Sequence, residues 1–285
     1  MSTLATSPSS MEAGAISSFR NRPLTILVAF WHTLRRDIIV TSREIMPLIM
    51  QVVVQPLCLL FVFGKVLPNV GVAQPLYPAL FLPGVVALNI NLVAIVGMTL
   101  TLILDLGSTR EIEDRLLAPL PTGLVAVEKV IFAALRALVA GLVTFPLAYW
   151  ILGNGYQVRT DMLVPLLGIM LLSALASSAL GLVIGTILAA DKIYLLFTLV
   201  FSALMYTGCV YYSWSSLSSL KALQIVTLFN PLTYGAEGLR YTMVPMLHGQ
   251  TFSTLPIGWA VLGLIVSFVL FLVIGLWTFH KRVIS

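Results

Sequence analysis

Charged side chains are scarce in this chain: only 9% of its 285 residues are Asp, Glu, Lys or Arg, against roughly 25% in soluble proteins. That scarcity excludes an ordinary soluble domain, whose surface needs far more charge. Histidine occurs three times, scattered as His32, His248 and His280, and cysteine twice. Cys58 and Cys209 both lie in apolar stretches without metal-ligand spacing, which excludes a zinc or disulfide framework and leaves them as small apolar residues. No G-x-x-x-x-G-K-[ST] phosphate loop occurs, since Gly64-Lys65 is followed by Val66, and H-E-x-x-H and G-x-S-x-G are missing as well. Glu128 is the only carboxylate well inside an apolar stretch and no histidine accompanies it, so an intramembrane hydrolase lacks its parts. Any energy for active work must therefore come from another subunit. The period-two alternation of an outer-membrane barrel is absent too.

Long apolar runs are what the chain has instead. Hydrophobic residues make up 59% of it, the mean hydropathy is +1.02, and six runs fall near 46–66, 78–104, 124–152, 162–189, 193–212 and 256–279. The first is about 31 Å long as a helix, matching a hydrocarbon core of roughly 30 Å. Backbone amides cannot stay unpaired in lipid, so such runs are helices, and the fold class is an all-α polytopic membrane protein. Residues 1–23, polar and rich in Ser and Ala, read as a disordered cytoplasmic leader without a cleavable signal peptide, and 24–285 as one membrane domain. Of the sixteen basic residues, Arg20, Arg22, Arg35, Arg36, Arg43, Arg110, Arg115, Lys192, Lys281 and Arg282 flank the runs on one side, and only Arg159, Lys221 and Arg240 on the other. The positive-inside rule then puts both termini in the cytoplasm. The net charge of +5 encodes topology and not a nucleic-acid ligand.

Three segments outside the runs carry local signals. Over residues 24–45, Leu27, Trp31, Leu34 and Ile38 recur at helical spacing while His32, Arg35, Arg36 and Arg43 point elsewhere. That pattern predicts an amphipathic helix in the cytoplasmic interface, either a plain anchor or a docking element. Between the second and third runs, Gly107 stops a helix and Ser108-Thr109-Arg110-Glu111 reads as a capping box. Ile112, Leu116 and Leu117 give the short helix that follows an apolar stripe, Glu113, Asp114 and Arg115 cover its other side, and Pro119 and Pro121 end it. Such a helix suits a groove on a cytoplasmic partner. On the external side, the apolar segment Ala222 to Phe229 is too short to cross and leads into Asn230-Pro231, a helix start. The next segment carries Glu237 and Arg240 three apart on one face. Two short helices meeting at an Asn-Pro break predict a re-entrant hairpin, tolerable at membrane depth only when protein or water buries it.

Polar residues inside the runs stand out. Ser173, Ser177, Gly181, Gly185 and Ala189 recur every four residues, as do Ala133, Ala137 and Gly141, predicting tight helix packing or a seam between subunits. Gln51, Gln55, Asn89 and Asn91 must be paired or face an aqueous route, and they are candidates for a translocation path. Glu128, Lys129 and Arg136 lie early in the third run with Asp105 as a partner for either cation, an expected ion-pair cluster at a cytoplasmic gate. Tyr206, Tyr211, Tyr212, Trp214, Phe229, Tyr234 and Tyr241 form an external aromatic belt, some of them placed to stack on a ring-bearing substrate.

The layout resembles the permease subunits of ATP-binding-cassette exporters of the second type, which include daunorubicin-resistance and nodulation-factor exporters. The resemblance rests on Arg110-Glu111-Ile112-Glu113-Asp114-Arg115-Leu116-Leu117-Ala118-Pro119 and on Asn230-Pro231-Leu232-Thr233-Tyr234 followed by Glu237-Gly238-Leu239-Arg240. The family's Gly-Thr in the first motif is missing here. The resemblance implies a six-helix half-transporter in the cell membrane, a coupling helix around 108–118, and a second permease copy or paralogue. It also implies two separate cytoplasmic ATPase subunits holding ATP and Mg, with no cofactor on this chain. Membrane lipid is a partner and nucleic acid is not. The implied cargo is a drug-like or lipid-like amphiphile. A lipid-linked glycan is the alternative within the family, and an ATP-independent channel or carrier the alternative outside it.

Overall fold

The computed structural model describes residues 28, 30–37, 39, 45–74, 77–107, 122–153, 156, 158–159, 161–192, 194, 196–244 and 255–284. All regular structure among them is helical. Helix α1 (Ile45–Leu59) runs on through a π-helical stretch, Leu60–Val66, and a last turn, Leu67–Asn69. Helices α2 (Tyr77–Gly107), α3 (Thr122–Leu152) and α4 (Leu163–Ile187) follow. A 3-10 turn at Ala190–Lys192 then leads to π-helical Leu196–Phe201 and α5 (Ser202–Thr207). Next come a 3-10 turn at Trp214–Ser219, α6 (Lys221–Thr227) and α7 (Pro231–Met243), before α8 (Ile257–Ile284).

Five helices are long and apolar enough to cross a membrane: Val52–Asn69, Tyr77–Ile103, Gly123–Leu152, Leu163–Ile187 and Ile257–Arg282. The run expected as a further crossing, 193–212, is shorter as a helix. Its continuous described helical part is Leu196 to Thr207, at most about 18 Å at 1.5 Å per residue. The stop is local: Cys209 has φ +52°, a left-handed conformation that an L side chain adopts at a cost and that ends a helix. Residues 1–27, which include the expected leader, lie outside the described residues, and so do 108–121. In the helix at 30–37, Leu34 is buried and Trp31 exposed, so the two face different surroundings.

Helix α2 is the axis of the bundle. Within the protein 94% of its apolar stretch is buried, against 22% for the first crossing helix and 11% for α8. Helices α3 and α4 pack on α2 and on each other, α1 covers α3, α8 covers α4, and α7 is wedged among α2, α4 and α8. The small-residue stripes explain how α2 is approached so closely. A Cβ on Gly181 would stand 2.8 Å from that of Met98, and one on Gly185 would stand 3.1 Å from the Leu102 side chain. A Cβ on Gly141 of α3 would meet Ile90 at 2.6 Å and Met170 at 2.9 Å. Both stripes are thus consumed inside the protein, which removes them as a seam between subunits. Close approach of this kind replaces the hydrophobic drive that lipid cannot supply.

Gly84 shows how little room remains. A Cβ there would come 2.2 Å from the carbonyl oxygen of Val210, a backbone atom that can yield only if the turn after α5 moves. Gly84→Ala should lose about 1–2 kcal/mol net of the helix-propensity gain. Gly258→Ala, with no atom within 4 Å of the new methyl, should lose nothing. Thermal unfolding of the two variants in detergent compares them directly, and equal midpoints would contradict the packing argument.

Candidate functional site

The Asn230-Pro231 break organises the end of the bundle that holds α5, α6 and α7. Asn230 accepts a hydrogen bond from Leu232 N at 3.0 Å, capping α7, and its Nδ2 donates to Leu204 O at 2.8 Å and Thr207 Oγ1 at 2.9 Å. Thr233 Oγ1 donates to Thr227 O at 2.6 Å and Tyr234 Oη to Leu228 O at 2.7 Å. One pentapeptide, Asn230 to Tyr234, therefore ties α5, α6 and α7 together. Helix α7 then runs beside the long helices. A Cβ on its Gly235 would lie 2.6 Å from Ser173 Oγ and 3.9 Å from Ala87, ten residues or about 15 Å along α2 from Tyr77.

Inside α7, Glu237 and Arg240 form an ion pair with both side chains almost wholly buried. The remaining hydrogen-bonding capacity of each is used on distant backbone. Glu237 Oε1 accepts from Trp214 N at 2.9 Å, and Oε2 accepts from Leu255 N at 3.2 Å. Arg240 Nε donates to Leu80 O at 3.0 Å, and Nη2 donates to Cys209 O at 3.0 Å and Val210 O at 3.4 Å. The left-handed turn at Cys209 is what presents two successive carbonyls to one guanidinium. Desolvation would make this pair unfavourable if any lone pair or proton were left over. Here the charges are shared over five backbone groups, so it holds.

At the opposite end of α2, Lys129 Nζ donates to Asp105 Oδ2 in a second buried ion pair. Glu128 is buried beside it in sequence, and Arg136 lies across α2 with its Nη1 3.6 Å from where a Gly97 Cβ would be. Asp37, Thr101, Lys129 and Arg136 share a small cleft with Met98 and Phe132. Asp105, Lys129 and Arg136 thus come together around the same face of α2 and α3.

The two asparagines are paired inside the bundle. Asn89 Nδ2 has three acceptors within reach: Val52 O at 3.2 Å, Ala140 O at 3.0 Å and Thr144 Oγ1 at 2.9 Å. Asn91 Nδ2 donates to Ser177 Oγ at 2.7 Å. They staple α2 to α1, α3 and α4. Gln55 is half-buried on α1, and the Gln51 side chain lies outside the description. The coupling residues Ser108, Arg110, Glu111, Ile112, Glu113, Arg115, Leu116 and Leu117 lie outside the described residues.

Several participants carried no sequence signal. Partners of Asn89 and Arg240 are mostly main-chain carbonyls, which no residue type marks. Tyr77 joins the aromatic group: its ring stacks on Phe81 at 5.6 Å, Phe81 on Tyr211 at 5.9 Å, and Tyr211 on the exposed Tyr206 at 6.5 Å. In the exposed link between α3 and α4, the hydrogen bond from Arg159 Nε at 3.0 Å holds the Asp161 carboxyl below its usual range. An exposed pair of that kind adds little stability. Among the described residues no group of three or more His, Cys, Asp or Glu is placed to hold a metal.

Removing one member of the α7 pair strands the other in a dry site, so Glu237→Leu alone should cost about 3–5 kcal/mol. Glu237→Leu combined with Arg240→Leu should cost clearly less than the two single losses added. Denaturant titration of the four proteins in mixed micelles measures that coupling, and strictly additive losses would mean the side chains act independently.

Comparison with known proteins agrees with this helical, lipid-adapted arrangement. No curated protein matches the chain. The family described as ABC-2 type transporter matches residues 28–244, from the helix before α1 to the end of α7. That range is well over half of the 285 residues, and the chain therefore belongs to the ABC-2 type transporter family, as a membrane-spanning permease component of an ABC transporter.

Proposed function

We propose that this permease exports a drug-like or lipid-like amphiphile from the cytoplasm or inner leaflet, driven by ATP hydrolysed on separate subunits. Two cytoplasmic ATPase subunits bind ATP and Mg, and two permeases, identical or paralogous, pair in the cell membrane. Both termini are cytoplasmic, and 193–212 completes a sixth crossing around its helical part. The family match carries this reading, because it runs unbroken across the 108–118 segment that joins α2 to α3.

The geometry at the foot of α2 supports a mechanism. Helix α2 ends at Gly107 and α3 begins at Thr122, so a partner pushing on the segment between them moves both helix ends. The buried Lys129–Asp105 pair couples α3 to α2 close to that point. A displacement there passes to the axis of the bundle, against which α1, α3, α4 and α7 all pack. Asp105, Glu128, Lys129 and Arg136 act as the cytoplasmic gate, and the re-entrant α6–α7 hairpin, held by Asn230 and the Glu237–Arg240 pair, closes the external side. The Asn230-Pro231-Leu232-Thr233-Tyr234 sequence is nearer the drug and nodulation-factor branch, which favours a small amphiphile over a long glycan.

Tagged protein drawn from native membrane in mild detergent should bring a cytoplasmic ATPase with it in stoichiometric amount, identified by mass spectrometry. Ile112→Asn, Leu116→Asn and Leu117→Asn together should abolish that association while the permease remains inserted. A folded, oligomeric preparation with no ATPase would overturn the reading.

A further inference from the structure

Helices α2 and α4 run side by side in the same direction and in register. Gly181 meets Ile95 and Met98, and Gly185 meets Thr99 and Leu102, four residues further along both helices. Another step of four carries α4 past its end and α2 to the neighbourhood of Asp105 and Gly107. The 3-10 turn Ala190–Lys192 lies there, packed against α2, at the point where the 108–118 segment departs. Asp191 and Lys192 are both exposed on it.

The end of α4 that leads into this turn is tied to the far end of the chain. Arg282, in the last turn of α8, directs Nη1 at three carbonyls that α4 leaves without helical partners: Gly185 O at 3.3 Å, Thr186 O at 2.6 Å and Leu188 O at 3.1 Å. A cation there also meets the negative end of the α4 dipole. Thr186 Oγ1 and Thr278 Oγ1 are hydrogen-bonded at 2.7 Å, and the Leu188 N–H closes on Ile184 O at 2.8 Å. Five contacts thus anchor the end of α4, from which the exposed, charged turn departs.

We propose that the Ala190–Lys192 turn is a second contact surface for the cytoplasmic ATPase, with Asp191 and Lys192 meeting complementary charges and Arg282 as the positioning residue. The inference rests on the reading that such an ATPase docks at 108–118. Two contacts on one ATPase, one joining α2 to α3 and one following α4, convert a push into a defined tilt of the α2–α4 pair.

The test is photo-cross-linking in native membranes, using the full chain with its own ATPase and benzoylphenylalanine introduced at position 116, 191, 192 or 259. Cross-links to the ATPase are expected from 116, 191 and 192, and none from 259 near the opposite end of α8. Arg282→Gln should reduce the yield from 191 and 192 several-fold without changing that from 116, and Arg282→Lys should restore most of it. Cross-linking from 116 but not from 191 or 192 would overturn this inference alone. No cross-link from any position would overturn the ATPase reading and this inference with it. Should Arg282→Gln fail to insert, the 191 and 192 cross-links in the otherwise unaltered chain still decide.

Discussion

Almost everything at the α6–α7 end of this protein hangs from one ion pair shut away from solvent. Glu237 and Arg240 lie one turn apart on α7, yet their hydrogen bonds reach Leu80, Cys209, Val210, Trp214 and Leu255. These are points on four separate stretches of chain. Desolvating two charges costs several kcal/mol per ion, and only full satisfaction of both makes the arrangement tenable. The constraint propagates outward. Cys209 must take a left-handed backbone, Gly84 must lack a side chain, and the helix before Gly208 must stop short. A short helix sunk among long ones is thereby made rigid, and the polar backbone around it is spared exposure to lipid.

The other end of the molecule is organised differently. There the Lys129–Asp105 pair joins two helices and not many, close to the connection between Gly107 and Thr122. Between the two ends, α2 acts as a shaft, stapled at mid-height by Asn89 and Asn91 to α1, α3 and α4. Interhelical hydrogen bonds of this sort are worth about 1 kcal/mol each in membranes. Their value here lies in fixing rotation: an asparagine that must reach both Val52 and Ala140 admits one orientation of α2.

Much of this was legible in the sequence, for reasons that differ by feature. Apolar length located five crossing helices because lipid imposes it directly. The Asn230 cap and the shared face of Glu237 and Arg240 followed from local geometry alone. The small-residue stripes announced close packing but not against what; α2, in the same chain, proved to be the neighbour. Over 193–212 hydropathy gives the apolar length but not where the helix ends, since it records solvent preference and is blind to the backbone conformation at Cys209. The π-helical stretches at Leu60–Val66 and Leu196–Phe201 left no mark either, a shift in hydrogen-bond register requiring no special residue. Arg282 was read as a topological charge, whereas its carbonyl partners emerge only once α8 lies along α4.

Helix α8 carries one further consequence. Trp259 and Trp277 are both exposed at its two ends, 63% and 66%, and between them Leu262, Val266, Val269, Leu270 and Val273 line the same outward face. The Lys281 ammonium sits 5.6 Å from the centre of the Trp277 ring. Indole rings favour the two headgroup boundaries of a bilayer, and eighteen residues of helix separate these by about 27 Å. The protein therefore carries its own gauge of membrane thickness, set near the thin end of cellular bilayers. A thicker membrane would have to thin locally along the flank that packs on α4.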